Sequence, residues 1–266
     1  MRKAGIVFTL MYFFVLGCSN DDDGTTAPPE QNIDRSANLL GTGDSANDIL
    51  SNDNFTKLQL EIAYVTDFRP DDSAIGAFVQ FLRSNTFKTD ISVTFTELPS
   101  PNEEDLTLQE IVDLEESNRT EYNSGETLAI YIYFADAPAE SDDEDEGLVT
   151  LGAVYRNTSM IIYEETIRRL TQRSILVSTA DVEEATLNHE FGHLFGLVNL
   201  GSPSVNDHED EDAESHCNVE GCLMRAELEF GGGMMSMMES RASRGSALIP
   251  ELDPECILDL QANGGR

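Results

Sequence analysis

Thr186-Leu187-Asn188-His189-Glu190-Phe191-Gly192-His193-Leu194-Phe195-Gly196 is the stretch that decides the fold and the chemistry of this chain. The protein has 266 residues and 4 histidines, at positions 189, 193, 208 and 216, all within one short segment. The surrounding pattern predicts a helix from about Ala180 to Val198. Residues four apart in a helix project from one side, a turn above each other, so the His189 and His193 imidazoles can reach a single ion. Leu187, Phe191, Leu194 and Val198 recur on a separate face and can anchor the helix in a core. Imidazole suits zinc, and a catalytic zinc keeps three protein ligands and a water. Glu190, next to the first ligand, is placed to take a proton from that water as it attacks a carbonyl.

Toward the C-terminus, His-Glu-x-x-His followed by Gly196 resembles the metzincin metallopeptidases, in which the glycine lets the chain turn out of the helix. The family's third histidine would fall at position 199, where this chain has Asn199, a neutral amide and a poor zinc ligand. Further on, His216-Cys217-Asn218-Val219-Glu220-Gly221-Cys222-Leu223-Met224 resembles the archaemetzincin signature, a histidine joined to a cysteine pair and a methionine. That resemblance spans Thr186 to Met224. It implies an insertion from about Leu197 to Ser215, His216 as third ligand, and Met224 as a hydrophobic turn beneath the metal. The layout is also similar to bacterial membrane-anchored metalloproteases with Gly-Leu-Val-Asn after the second histidine. The resemblance implies a zinc endopeptidase with one catalytic Zn²⁺ and protein or peptide substrates.

The residues themselves leave the third ligand open. His208, in the acidic run Asn206-Asp207-His208-Glu209-Asp210, is one alternative, and a carboxylate from Glu209 or Glu214 is another, which would make the site gluzincin-like. Archaemetzincins complete a second zinc site with a further Cys-x-x-Cys. This chain has only Cys256 downstream, so a site of four cysteines is excluded, and a Cys217–Cys222 disulfide tightening the ligand loop is expected instead.

Upstream of the histidines the texture is α/β. Lys57 to Val65 and Ile91 to Thr96 alternate as strands, and Leu128 to Phe134 is a nearly continuous apolar run, as in a strand buried on both faces. A helix opens at Pro70, with Ile75, Phe78, Val79 and Leu82 on one side. Another opens at Thr107, whose spacing to Glu110 is that of a capping box. Leu151 to Tyr155 and Ser159 to Tyr163 form a strand pair. The succession predicts a twisted mixed β-sheet of α/β (α+β) class, a metzincin-like zincin with a small C-terminal subdomain. Asp253-Pro254 caps a last helix to about Ala262, closed by Gly264. Gly231 to Met238 reads as a mobile apolar loop. Glu140 to Glu146 is acidic, yet its spacing matches no known Ca²⁺ loop and reads as solvated.

The N-terminus carries a different message. Arg2 and Lys3 precede an apolar run, Ala4 to Leu16, too short to span a bilayer but typical of a signal peptide. It ends in Val15-Leu16-Gly17-Cys18, which resembles a bacterial lipobox and implies cleavage before an acylated Cys18. Residues 1–17 are therefore read as a lipoprotein signal peptide, 18–52 as a lipidated cysteine and acidic tether, and 53–266 as the peptidase domain, divided near 198/199. The expected location is the outer membrane or cell surface, with periplasm or secretion as alternatives. Asn199 keeps a second class open, a surface binding or adhesion lipoprotein with a structural or degenerate zinc site. The chain carries 50 Asp and Glu against 16 Lys and Arg, a formal charge of −34. Such a surface repels phosphate backbones, which argues against a nucleic-acid partner.

Overall fold

Alternating apolar side chains build the sheet, and the longest such run lies at its centre. The computed structural model describes residues 35–143 and 148–266. In chain order its elements are α1 (Ala46–Leu50), β1 (Lys57–Val65), α2 (Asp72–Asn85), β2 (Asp90–Leu98), α3 (Leu108–Asn118), β3 (Thr127–Phe134), β4 (Gly152–Arg156), β5 (Ser159–Ile162), α4 (Glu164–Thr171), α5 (Thr179–Leu194), β6 (Glu209–Asp210), β7 (Ala213–Cys217), α6 (Gly231–Ser243) and α7 (Pro254–Ala262). Five strands form one sheet in the order β2-β1-β3-β5-β4. β1 runs parallel to β2 and β3, and β3 parallel to β5. Only β4, at the edge, is antiparallel to its neighbour. The expected mixed α/β sheet is what the chain forms.

Period-two alternation sorts the two faces. Leu58, Leu60 and Ile62 of β1 and Leu128, Ile130 and Ile132 of β3 point to one side, where they meet α2 and α5 in the main core. Phe78 of α2 meets Phe191 of α5 edge to face, with ring centroids 5.2 Å apart. Ala63, Val65, Tyr131 and Tyr133 point to the other side, against Ile111 of α3. Every β3 residue after Thr127 is buried, as the continuous apolar run requires. Thr107 and Glu110 make the reciprocal capping box at the start of α3.

Two expectations are corrected, and one element is new. The stretch 36–52, read as tether, is part of the folded body. Ile49 and Leu50 are fully buried, and the Asn38 amide donates to Asn123 Oδ1 and Thr158 Oγ1, each at 3.0 Å. Ile49 and Leu50 fasten its end in the core, but the start is held by buried amides, so its composition looks like linker. Gly231 to Met238 is not a loop but the start of α6, with Met234 and Met238 fully buried. The helix α4 follows the β4–β5 hairpin directly and has no forerunner in the sequence pattern. All the described residues fall within one compact unit. The signal segment 1–17, Cys18 and the acidic run after it lie outside the described residues, as does 144–147 of the acidic loop. Among the described residues, no helix is long and apolar enough to cross a membrane.

Candidate metal centre

α5 begins at a second capping box, between Ser178 and Asp181, and runs into the core so that Ala185 to Val198 are buried on all sides. It ends where the sequence placed the turn. Gly196 has φ +71°, and a Cβ there would come 2.9 Å from Ala46 Cβ. The Asn263 amide, just past α7, donates to the carbonyls of Phe195 and Gly196 at 3.0 Å each, satisfying the helix end. Val198 and Asn199 continue with φ of +53° and +62°. Left-handed backbone at a β-branched residue is unusual, and Asp259 helps hold it by accepting from Val198 N at 3.3 Å.

His189 and His193 project from the same side of α5, with their Nε2 atoms 3.3 Å apart. His216, at the end of β7, comes to them across the fold, its ring centroid 5.4 Å from that of His189 and 5.0 Å from that of His193. The three offer nitrogen atoms that all lie within 4.8 Å of one another, a group able to hold a metal ion. Two nitrogens each bound at 2.0–2.1 Å to a tetrahedral zinc stand roughly 3.3 Å apart, the separation seen between His189 and His193. The outer nitrogens are also arranged for ligation. His189 Nδ1 lies 2.8 Å from the Leu223 carbonyl, and His216 Nδ1 lies 2.9 Å from the Glu214 carbonyl. A carbonyl only accepts, so each Nδ1 carries the proton, which leaves the Nε2 lone pair to His189, whereas His216 Nε2 faces the Glu229 carboxylate. Burial, with the neighbouring imidazoles, holds His193 well below its ordinary pKa and brings His189 down to about 4, so both stay neutral.

Glu190 is buried and points to the side of α5 that faces β4. Burial raises its carboxyl well above the usual range, with the Glu229 charge adding to this, while the Val154 backbone N–H opposes it. Its Oε1 has no hydrogen-bond partner among the described residues. Two glycines make room for the arrangement. A Cβ at Gly152 would come 2.8 Å from Glu190 Cγ, and one at Gly192 would come 2.2 Å from Met224 Sδ. Met224 is thus fully buried against the helix between the two histidines.

The other sequence candidates lie elsewhere. Asn199 donates to Glu209 at 2.6 Å and exchanges hydrogen bonds with Ser204. Glu209 also accepts from Ser215 N at 2.6 Å, and the Glu214 side chain is exposed. His208, the alternative third ligand, is buried away from the imidazole group. Its Nε2 lies 2.9 Å from Asp259 Oδ2 and its Nδ1 lies 3.4 Å from Cys217 Sγ. It belongs to a second group able to hold a metal ion, made of His208, Cys217, Asp253 and Cys256. The expected Cys217–Cys222 disulfide is absent. Cys217, Cys222 and Cys256 are free and buried, with Cys222 Sγ 3.5 Å from Cys256 Sγ. Three sulfurs share one pocket, where the neighbouring Cys222 and Cys256 thiols lower the Cys217 pKa below a thiol's usual value.

Sequence reasoning missed Glu229, Asp253 in this pocket, and Asp259. Glu229 Oε2 lies 3.1 Å from His216 Nε2, held there because residues 229–231 pair with 149–151 beside β4. Nothing in local spacing marks these carboxylates, because each meets its partner only through the tertiary fold.

No family model matches the chain, and no curated protein matches it. Among solved structures it is similar to archaemetzincin from Methanopyrus kandleri, with a TM-score of 0.48 and 15% identity, over 78% of this chain and 96% of that one. It is similar also to metalloproteinase-II from Bacteroides fragilis, with a TM-score of 0.43 and 12% identity, over 80% of this chain and 55% of that one. A zinc-dependent peptidase from Methanocorpusculum labreanum gives a TM-score of 0.42 and 12% identity, over 76% of this chain and 99% of that one.

Proposed function

We propose that this protein is a zinc-dependent peptidase, with His189, His193 and His216 as metal ligands and Glu190 as general base. The observation that carries it is the meeting of three buried imidazoles beside a buried carboxyl with an unpartnered oxygen. Bound zinc supplies an activated water and polarises the scissile carbonyl. The chain's own residues do the rest. The Leu223 and Glu214 carbonyls fix two imidazoles in the ligating tautomer. Val154 N–H holds the Glu190 carboxyl, and the charge of a bound cation would offset the burial that favours its protonated form, leaving Oε1 to accept the water's proton and pass it to the leaving amine. Cleavage within chains, rather than at their ends, is part of the proposal, and so are protein or peptide substrates. The test is metal analysis of the purified protein together with cleavage of casein or a peptide library. Cleavage that stops with a chelator and returns with zinc is expected; chelator-resistant cleavage sinks the proposal.

The lipobox-like run before Cys18 supports a further part of this reading, an acylated protein held on the outer membrane or cell surface. Cys18→Ser is expected to move the protein from the membrane fraction to the soluble one. Membrane association that persists in this variant rules out Cys18 as the anchor.

A further inference from the structure

We propose that Glu229 selects the substrate: its carboxylate, at the mouth of the imidazole group, takes a lysine or arginine side chain that flanks the bond to be cleaved. The proposal rests on the zinc peptidase reading above and names the substrate class of that site.

The members of the site are not equally open. His189, Glu190 and His193 are buried. The His216 side chain is 10% exposed, and that of Glu229 is 31% exposed. Solvent, and with it a peptide, therefore reaches the group past Glu229. Backbone pairing fixes the residue there. Leu151 N–H donates to the Glu229 carbonyl at 3.1 Å, and Gly231 N–H donates to the Val149 carbonyl at 2.8 Å. Glu229 thus stands beside the lead-in to β4, the strand whose Gly152 packs on Glu190.

Its charge has no permanent partner. Oε2 lies 3.1 Å from His216 Nε2, and among the described residues the carboxylate has no other hydrogen-bond or ion-pair partner. Arg225, four residues earlier, is engaged by Glu227 and Asp210. His216 Nδ1 faces the Glu214 carbonyl, so Nε2 is the nitrogen left for an ion. A nitrogen that gives its lone pair to an ion cannot also donate a hydrogen bond to a carboxylate. Glu229 itself is outside the group of ligand atoms able to hold an ion, which comprises the three imidazoles. Ligation through His216 therefore leaves a half-buried carboxylate unpaired at the entrance, and burying an unpaired charge costs free energy until a cation meets it. A lysine ammonium supplies that cation, and an arginine guanidinium can take both carboxylate oxygens at once. An acidic side chain in the same place meets a like charge and is rejected.

Peptide binding to the zinc-loaded, full-length Glu190→Ala protein tests this without depending on turnover. The probes are N-acetylated, C-amidated peptides that differ only in carrying lysine, arginine, norleucine or glutamate at one position, moved along the sequence. Lysine and arginine peptides are expected to bind about 10–100-fold tighter than norleucine peptides at one position. Adding Glu229→Gln should abolish that preference and leave zinc content unchanged. Adding Glu229→Lys should turn the preference toward glutamate, which also shows that the variant is folded. Equal binding of lysine and norleucine peptides, or a preference that survives Glu229→Gln, overturns the proposal. Zinc lost in Glu229→Gln makes the residue a ligand and overturns it as well. Selection that appears only when the amino terminus is left free overturns the assignment to a side chain. Selection for lysine in a protein whose wild type cleaves no peptide would leave the cation site standing and remove the peptidase reading.

Discussion

Position 192 shows how little room the centre leaves at the scale of one residue. The helix needs His189 and His193 on one side, and Met224 fills the space beside the backbone between them, so only hydrogen fits there. A buried carboxyl pair nearer the start of α5 sets a different kind of constraint. Glu164, at the start of α4, and Glu183, on α5, are both essentially without solvent exposure, and Arg168 and the Asp71 N–H bond them from opposite sides. Burial first, then the facing Glu183 charge, pushes Glu164 up to about 9. The folded protein therefore keeps a proton that the unfolded chain releases near pH 4.5. A raised folded pKa gives stability that is complete at low pH and is lost as the pH rises toward 9. Stability from denaturant unfolding should fall between about pH 5 and 9, with a slope on the order of 1 kcal/mol per pH unit at most for this one proton. Glu164→Gln, which stays neutral, should flatten that slope; parallel curves for variant and wild type would show that the pair does not share a proton.

Among the elements, those written in local periodicity were legible and those made by distant contacts were not. β1, β2, β3 and α2 stood out because alternation or a one-sided apolar stripe repeats along each. The capping box at Thr107 opens α3 through side chains three residues apart, a signal of the same local kind; the one at Ser178, which opens α5, has that spacing too but was found only in the structure. α6 hid behind three successive glycines, which disfavour helix, until burial of Met234 and Met238 against the core outweighed them. The segment before β1 was hidden for the opposite reason. Its first part is fastened by polar contacts, Asn38 to Thr158 and Leu40 N–H to Asn157, which spacing does not mark, and only Ile49 and Leu50 at its end join the core. The site divides the same way. His189, Glu190, His193 and Gly196 lie on one helix and its turn, so spacing alone places them. His216 was placed by resemblance and is brought to them by β7. His208 reaches Asp259 across 51 residues, and Cys222 reaches Cys256 across 34, separations at which spacing carries no geometry.

At the scale of the whole molecule, the chain carries a formal charge of −34 around a group of imidazoles able to hold a metal ion. Such a field attracts cations and repels acidic partners, so under the proposed peptidase function neutral or basic peptides are the ones expected to approach fastest, and most so at low salt. The sheet carries α5 on one face, β4 shields Glu190 at its edge, and the chain beyond α5 returns His216 and Met224 beneath the helix. In the function proposed above, all of this serves one division of labour, three imidazoles to hold the ion and one carboxyl to move the proton. Glu190→Ala, assayed for zinc content and peptide cleavage in the same preparation, tests that division most directly. The account predicts zinc at the wild-type level with cleavage reduced by about 10²–10⁴-fold. Zinc lost along with the carboxylate, or cleavage at the wild-type rate, would contradict it.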